Sequence, residues 1–195
     1  MRKLMQSPEK LFEYPALQTE RLLLRPLVPD DLEFVFNHFS SEAVNKYLTD
    51  DDPVQTYEQA KEIVDFYQGS GNLHNRWVLE RKEDKRSIGT CGFHRWDKRC
   101  SRAEVGYDLS EAFWGQGYMR EAMKATLKFG FEEMALNRVE AFVDVENMAS
   151  LKLMKRLGFQ REGVLREYYS LNGKYFDTVL LSFLKSDWML GNDKP

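Results

Sequence analysis

The chain has 195 residues, 43% of them hydrophobic and 30% charged, which is the balance of an ordinary globular protein rather than a disordered or fibrous one. This length predicts a single domain over residues 1–195 with a substantial core. A net charge of −3 gives no bulk attraction for nucleic acid or an anionic membrane, so neither is expected as a partner. The sequence has no apolar run of membrane-spanning length, and residues 1–10 lack the apolar centre of a signal peptide. We therefore expect a cytoplasmic protein in which Cys91 and Cys100 are free thiols.

The first third of the chain predicts one strand, over residues 20–27, followed by three helices. The helices are expected to begin at an acidic pair, at a serine and at a capping box, and they cover residues 30–39, 41–48 and 56–69. An acidic cluster at residues 50–52 is either solvated surface charge or an attraction for a cationic substrate.

The rest of the chain predicts strands that alternate with two helices. The strands are expected over residues 77–81, 87–96, 102–109, 138–145, 164–171 and 175–184. One helix should begin after Gly117 and end at Asn137, and the other should run from Asn147 to a stop at Gly158. Asn172 and Gly173 give a strong hairpin signal between the last two strands. This order predicts an α/β (α+β) protein with a mixed sheet.

A two-glycine turn, Gly115 and Gly117, precedes a helix whose apolar stripe includes Met119 and Met123. A helix N-terminus offers backbone N–H groups and a positive dipole end, where phosphate binds, and glycine lets the backbone come close to it. Plain turn chemistry explains two glycines equally well. A P-loop needs Gly-Lys-Ser/Thr, which is absent, and the dinucleotide fingerprint needs glycine where Arg120 stands.

Glu104 is the ionisable residue of greatest interest. It lies on a strand expected to be central, next to apolar Val105 and upstream of the glycine turn. A partly buried carboxylate has a raised pKa and can act as a general base near neutral pH. A solvent-facing glutamate on a half-exposed strand is the alternative.

Asn147 and Ser150 lie where a strand gives way to a helix. Asparagine caps helices well, so capping is one interpretation, and contact with a ligand between two strand ends is the other. His38 is expected to be a surface or capping residue. His74 and His94 lack metal-ligand spacing, so no metal is expected.

Several motifs together resemble the GNAT superfamily of N-acetyltransferases, and within it the RimJ/RimL type that acetylates the N-termini of ribosomal proteins. The motifs are TERLLLRPLVPDD at 19–31, AEVGYDL at 103–109, FWGQGYMREA at 113–122, LNRVEAFVDVENMASLKLMKRLGF at 136–159 and GVLREYYSLNGKYFD at 163–177. The resemblance covers a core of about 17–188, with short extensions at both ends.

The resemblance implies about seven strands, splayed into a V between the strand ending at Leu109 and the strand ending near Val145. Acetyl-CoA would enter the V, with its pantetheine on the backbone of residues 107–109 and its pyrophosphate on the N–H groups of residues 116–120. The residues implied to bind it are Tyr107, Asp108, Leu109, Trp114, Gly115, Gln116, Gly117, Tyr118, Met119, Arg120 and Asn147. Glu104 matches the general-base glutamate of some members.

The chain departs from the superfamily pattern in its phosphate loop and in its general acid. Trp114 and Met119 stand at the first and last loop positions, and Met119 is bulky where a small residue is usual. Met154 stands where many members have a tyrosine acid, and it cannot donate a proton. Either another group donates the proton or no acid is required. Ser150, one helical turn earlier on the same face, is the first candidate for a catalytic hydroxyl, and Tyr168 and Tyr169 are further candidates.

A base glutamate of one ribosomal-protein branch falls at Tyr169 in this chain. Glu167, two residues earlier, would share its strand face and is the fallback base. Because adjacent strand residues point to opposite faces, only one of Tyr168 and Tyr169 is expected to face the cleft.

The reaction that the resemblance implies is acetyl transfer from acetyl-CoA to a primary amine, with a protein N-terminus as the leading acceptor. A polyamine or an aminoglycoside is the alternative acceptor, and a non-catalytic acyl-CoA-binding module is the alternative function. The C-terminal hairpin is a possible homodimer contact.

Overall fold

The computed structural model describes residues 12–48, 52–68, 73–171 and 173–192, and these residues form one eight-stranded sheet with helices packed on it. The strands are β1 (Leu17–Gln18), β2 (Leu22–Pro26), β3 (Trp77–Arg81), β4 (Ser87–Asp97), β5 (Arg102–Leu109), β6 (Arg138–Asp144), β7 (Gln160–Leu171) and β8 (Lys174–Leu184). They lie in the order β1-β2-β3-β4-β5-β6-β8-β7. Only the β5–β6 pair is parallel, which confirms the mixed sheet that the sequence predicts.

Six α-helices accompany the sheet in the described ranges. They are α1 (Leu32–Phe39), α2 (Glu42–Asn45), α3 (Tyr57–Gln68), α4 (Tyr118–Glu132), α5 (Met148–Leu157) and α6 (Lys185–Asn192). Short 3-10 helices precede α1 and α4, at Pro29–Asp31 and Glu111–Phe113. Within the described residues, no helix is long and apolar enough to cross a membrane.

The sheet has a hydrophobic core on each face, because successive strand residues point to opposite sides. Trp77 and Leu79 belong to the larger core, which α4 and α5 cover, whereas Val78 between them belongs to a second core with α1 and α3. Full burial of one such apolar side chain contributes roughly 1.5–3 kcal/mol to the free energy of unfolding. The two cores therefore hold α4 and α5 on one side of the sheet and α1 and α3 on the other.

The sheet opens between β5 and β6. In the described part of the chain these strands pair at only three positions, Arg102↔Arg138, Ala103↔Val139 and Glu104↔Glu140. Beyond them, β5 continues beside β4 as far as Leu109, and β6 continues beside β8 as far as Asp144. The gap between residues 105–109 and 141–144, called the V below, is the splayed opening that the resemblance implies.

The structure adds elements that the sequence did not predict. The eighth strand is β1, which has two residues and is too short to leave a periodic pattern. Helix α6 continues directly from β8 without a turn signal, and its Trp188 ring stacks on Phe131 with centroids 5.8 Å apart. Strand β7 begins at Gln160, four residues earlier than predicted.

Three sequence predictions fall partly outside the described residues. These are the end of the third helix at Gly69, the acidic pair Asp50 and Asp51, and Asn172 of the hairpin turn. Gly173 is described, and its φ of +73° suits a tight turn. Cys91 is buried, Cys100 is exposed, and both are free thiols as expected.

Candidate active site

A cleft of about 1580 Å³ lies at the V. It is lined by the open ends of β5 and β6, by the start of α4 and by α5, and it extends over α2, α3 and the β7 tyrosines. Twelve of the thirteen site residues predicted from the sequence line it: Glu104, Tyr107, Asp108, Leu109, Trp114, Gly115, Gly117, Tyr118, Met119, Arg120, Asn147 and Ser150. The thirteenth, Gln116, is not among its lining residues, and its side-chain amide donates instead to the carbonyl of Ala112 at 2.9 Å.

The two-glycine turn has the backbone that only glycine adopts easily. Gly115 has a φ of +73°, and Gly117, the N-cap of α4, has a φ of +82°. A Cβ on Gly117 would lie an ordinary 3.5 Å from the Arg21 side chain, so conformation rather than space selects glycine there. The first turn of α4 thus presents N–H groups to the cleft. Met119 is only 7% exposed and packs in the larger core, which explains how a bulky residue fits at this position.

Trp114 lies at the mouth of the cleft and is 48% exposed. Its indole N–H donates to the carbonyl of Leu109 at 2.7 Å. This bond occupies the last carbonyl of β5, at the end of the strand edge that faces the V.

Glu104 lies on the last paired rung of β5, where the V opens. Its side chain is 22% exposed and forms an ion pair with Arg95 at 3.2 Å. The ion pair fixes the carboxylate on the cleft-lining side of β5. The structure thus places a carboxylate among the residues that line the cleft.

Ser150 and Tyr107 join the two walls of the V. Asn147 caps α5 by accepting a hydrogen bond from the backbone N–H of Ser150 at 3.0 Å, and the Ser150 hydroxyl is hydrogen-bonded to the Tyr107 hydroxyl. Burial raises the pKa of Tyr107 to about 12, so its phenol stays protonated at neutral pH. Met154 is fully buried, so the position of the usual tyrosine acid belongs to the core.

The Asp108 side chain points away from Tyr107 into a buried polar cluster. It accepts hydrogen bonds from Arg76 (2.9 Å) and Thr90 (2.6 Å) and is bonded to His38 Nε2 (2.6 Å). Burial alone would raise the pKa of Asp108, but His38, Arg76 and Thr90 outweigh burial and hold it below its ordinary value. The Asp108 side chain is therefore engaged in this cluster, and its backbone pairs with Thr90 of β4, so its predicted contact with the cofactor stays a prediction.

The expectation that His38 lies on the surface is wrong. Its side chain is 1% exposed, and its second ring nitrogen bonds the Ser110 hydroxyl at 2.9 Å. Because Asp108 and Ser110 follow it by 70 and 72 residues, no local pattern could indicate this burial.

His94 lines the cleft on the same face as Glu104, its partner across β4 and β5. Burial, followed by the charges of Arg76, His74 and Arg95, lowers the pKa of His94 to about 3. The imidazole is therefore neutral at physiological pH. No sequence pattern beyond the strand itself indicates that His94 lies in the cleft.

A bulge in β7 changes what faces the cleft. The register with β8 shifts between Leu165 and Tyr169, and Glu167 takes a left-handed φ of +51°. Tyr168 and Tyr169 consequently both line the cleft, so the expectation that only one faces inward is wrong. Tyr168 stacks on Phe142, and the Tyr169 hydroxyl donates to Asp144 at 2.6 Å. Glu167 itself is exposed and does not line the cleft, which removes the reason for assigning it as fallback base.

Across the described ranges, no group of three or more His, Cys, Asp or Glu side chains is arranged to hold a metal ion. The cations that line the cleft near α4 and α5 are Arg120, Lys152 and Arg156. An unpaired strand edge, a glycine turn at a helix N-terminus and nearby cations fit a ligand with amide groups and phosphates.

Comparison with known proteins identifies that ligand. Residues 21–160 match the family described as "Acetyltransferase (GNAT) domain". An uncharacterized N-acetyltransferase of Bacillus licheniformis, p20, is 37% identical over 175 residues, covering 89% of this chain and 98% of p20. A putative ribosomal N-acetyltransferase of Bacillus subtilis, YdaF, is 35% identical over 100 residues, which is 51% of this chain and 55% of YdaF.

A solved structure shows the same fold with ligands present. Spermidine N-acetyltransferase from Vibrio cholerae, in complex with CoA and spermine, has a TM-score of 0.78 and 25% identity over 87% of this chain and 98% of that one. The splayed sheet, the glycine turn and the sequence match agree. The chain belongs to the GNAT family and is an acetyl-CoA-dependent N-acetyltransferase.

Proposed function

We propose that the protein acetylates primary amines in this cleft and that its leading acceptor is the α-amine of a protein N-terminus. The observation that carries the proposal is the position of Glu104, whose carboxylate lies at the point where the V opens and lines the cleft. An ammonium must lose a proton before it can attack, and a carboxylate at this point can take it, directly or through water.

The thioester, the backbone of β5 and the Ser150 hydroxyl have separate roles in the proposed reaction. The thioester of acetyl-CoA supplies the activated acetyl group. Backbone N–H groups of residues 107–109 that point into the V stabilise the negative charge that develops on the carbonyl oxygen. The Ser150 hydroxyl, hydrogen-bonded to the neutral phenol of Tyr107, stabilises the departing sulfur.

The N–H groups at the start of α4 are assigned to the pyrophosphate. The positive end of the α4 dipole and the side chains of Arg120, Lys152 and Arg156 favour an anion at this end of the cleft. Asn147 holds the start of α5 beside them.

Similarity to known proteins supports two classes of acceptor. The likeness to YdaF, whose name is putative ribosomal N-acetyltransferase, supports the protein N-terminus. The likeness to the spermidine enzyme of Vibrio cholerae supports a polyamine. Carboxylates other than Glu104 line the cleft at Asp52, Glu62 and Asp144, and this specific observation favours a polycation as the second candidate.

A thiol-release assay over a panel of N-terminal peptides, polyamines and aminoglycosides separates these acceptors. We expect release with peptides that carry a free α-amine and none with N-acetylated copies of the same peptides. Release with polyamines alone would replace the first candidate with the second. Acetyl-CoA binding without release across the whole panel would contradict catalysis and favour a binding module.

For a homodimer, we propose the exposed face of the β7–β8 hairpin as the contact. Val164 and Tyr175 are 38% and 67% exposed there. Equilibrium sedimentation of the Tyr175→Ser variant tests this contact, since a dimer held by the hairpin should dissociate at a higher concentration than the unaltered protein.

A further inference from the structure

Arg21 connects the start of the chain to the glycine turn of α4. It lies between β1 and β2, in the segment TERLLLRP that the proposed mechanism does not use. Its guanidinium donates to Glu121 Oε2 at 2.6 Å and to the Gln116 carbonyl at 3.0 Å. The same group lies over the Tyr118 ring, 4.3 Å from the centroid. One side chain thus contacts Gln116 in the glycine turn and both Tyr118 and Glu121 at the start of α4.

Glu121 is fixed from the same segment. Its Oε1 accepts hydrogen bonds from the Thr19 hydroxyl at 2.6 Å and from the backbone N–H of Arg21 at 2.7 Å. Burial would raise the pKa of Glu121, but the bonds from Thr19 and Arg21 outweigh burial and hold it below its usual value. The first turn of α4 is therefore fastened to the β1–β2 segment by a charged carboxylate.

The bond to Gln116 sets the direction of a backbone N–H. A trans peptide is planar, so the carbonyl of Gln116 and the N–H of Gly117 point in opposite directions. Arg21 holds that carbonyl, and neither Arg21 nor Gln116 lines the cleft, whereas Gly117 does. Because Arg21 holds the Gln116 carbonyl on the side away from the cleft, the N–H of Gly117 points towards the cleft.

Charge gives Arg21 a second effect at the same place. The Glu121 carboxylate lies one turn into α4 and would repel an anion bound at the helix N-terminus. Arg21 pairs with it, and the side chains of the two are 41% and 17% exposed. Neutralising Glu121 leaves the positive end of the helix dipole to act on the ligand.

We propose that Arg21 is a positioning residue for the pyrophosphate of acetyl-CoA, acting through the Gly117 N–H and through Glu121 without touching the ligand. The proposal rests on the assignment of this turn to the pyrophosphate. It gives the segment at residues 19–21 a role in cofactor affinity, in addition to its place in the sheet.

Calorimetric titration of acetyl-CoA into Arg21→Ala and Arg21→Lys tests the proposal. We expect Kd to rise about tenfold to a hundredfold in Arg21→Ala, the range for losing a charge-assisted hydrogen bond. Arg21→Lys should also bind more weakly than the unaltered protein, because an ammonium cannot hold Gln116 and Glu121 in one planar fork. Affinity for S-acetylpantetheine, which has no pyrophosphate, should be unchanged when measured by NMR titration.

Lys82→Ala is the matched control. The Lys82 ammonium donates to the Thr19 carbonyl at 2.5 Å, so it holds the same segment without contacting the glycine turn. Its acetyl-CoA affinity should equal that of the unaltered protein.

Three results would overturn the inference. Equal weakening of acetyl-CoA and S-acetylpantetheine would mean that Arg21 supports the fold only. Full recovery in Arg21→Lys would mean that charge alone matters. Unchanged acetyl-CoA affinity in both Arg21 variants would remove the role altogether. In that last case, a Gly117→Val variant that still weakens binding keeps the turn as the pyrophosphate site, and one that does not removes that assignment as well.

Discussion

Glu104 is the residue on which the proposed chemistry depends most. Its carboxylate pairs with Arg95, and its place at the opening of the V puts it beside the proposed path of an acceptor amine. A general base contributes most to the rate when the substrate amine carries a proton. The effect of removing a base therefore depends on pH, whereas the effect of removing a residue that only shapes the cleft does not.

Replacing Glu104 with Gln keeps the shape of the side chain and removes its basicity. We expect kcat to fall about 10²–10⁴-fold, while the Kd for acetyl-CoA barely changes. The loss should shrink at high pH, because an α-amine with a pKa of about 8 is then already neutral. Rates measured over roughly pH 6 to 10 bracket that pKa and test the expectation. A ratio of variant to unaltered rate that stays flat over this range would exclude the role of base.

Ser150→Ala is the natural comparison for that variant. A thiol with a pKa of about 8.5 is a competent leaving group near neutral pH, so help from a hydroxyl contributes less than a base does. We expect a loss in kcat of about tenfold or a few tens, equivalent to roughly 1–2 kcal/mol of barrier. A larger loss than that of Glu104→Gln, with acetyl-CoA binding intact, would place the hydroxyl at the centre of the mechanism instead.

The buried Asp108 gives a prediction about stability rather than rate. Its folded-state pKa is lowered, so its contribution to stability is fully present above the unfolded-state pKa of about 3.9 and is lost as pH falls through the folded-state value. Asp108→Asn should cost about 3–5 kcal/mol near pH 7, because His38 and Arg76 lose their buried partner. Urea unfolding from pH 7 downward should show the gap to the unaltered protein narrowing with acid.

Asp84→Asn is the control for that experiment. Asp84 also has a lowered pKa from an arginine partner, Arg81, but it lies in the exposed turn between β3 and β4. Solvent screens such a pair, so this variant should change the free energy of unfolding far less. Equal losses in the two variants would contradict the special role given to burial.

At the scale of single residues, the sequence predicted which strand Glu104 lies on better than it predicted the partners of buried side chains. The alternating pattern placed Glu104 on its strand, and the resemblance to the superfamily placed that strand beside the V. The partners of Asp108 could not be placed in this way, since His38 and Arg76 come from other elements and a histidine in a helix carries no mark of burial. Long-range pairs of this kind depend on how elements pack, which no short window of sequence contains.

At the scale of elements, the turn before α4 needs glycine for its left-handed backbone and is also the proposed site of the pyrophosphate. Gly117→Val forces a β-branched residue to a φ of +82°, which costs about 1–3 kcal/mol locally or turns the N–H groups out of place. We expect acetyl-CoA affinity to fall sharply in calorimetry while the thermal unfolding profile stays close to that of the unaltered protein.

Gly117→Asn is the matched variant, because asparagine tolerates the left-handed region better than valine does. It should retain more affinity than Gly117→Val. Near-normal affinity in the valine variant would mean that the phosphates bind elsewhere in the cleft.

Elements with a repeating pattern were predicted well, and departures from the pattern were not. Helix α5 and strands β3 to β6 begin and end within about two residues of the prediction. Helix α4 begins where predicted but ends at Glu132, five residues before the predicted end at Asn137. The bulge of β7 breaks the period of two, and the sequence around Glu167 holds no glycine to announce its left-handed backbone. The assignment of Tyr168 and Tyr169 to opposite faces was wrong for that reason.

At the scale of the whole molecule, the V leaves backbone groups of β5 and β6 without strand partners. Ligand that binds only the folded state stabilises it by RT ln(1 + [L]/Kd), about 2.7 kcal/mol at a hundredfold excess over Kd. We therefore expect acetyl-CoA to raise the unfolding temperature. In hydrogen exchange, new protection should concentrate on residues 105–109 and on the start of α4.

The part of the β7–β8 hairpin at residues 160–164 and 179–182 supplies the internal control, because its strands pair there and it does not line the cleft. Its amides should exchange at the same rate with and without acetyl-CoA. Uniform protection over the entire sheet, with no excess at β5, would contradict binding in the V.

The overall topology was recoverable from the sequence because the strands and helices occur in a recognisable order and the motifs of the superfamily lie along it. The V was reached through resemblance and not from periodicity. Strand β5 reads as a continuous alternating strand from Arg102 to Leu109, and nothing in that pattern shows that pairing with β6 ends at Glu104.

The splayed sheet also bears on solubility. Unpaired strand edges recruit strands from other molecules, and most proteins shorten or distort the edges that face solvent. Here the two outer edges follow that rule, since β1 has two residues and β7 is broken by two register shifts. The regular unpaired edge, residues 105–109 of β5, faces inward, where β6 and α5 limit the approach of a foreign chain. The protein can thus keep an open edge for a slender ligand without offering neighbouring molecules a template for aggregation.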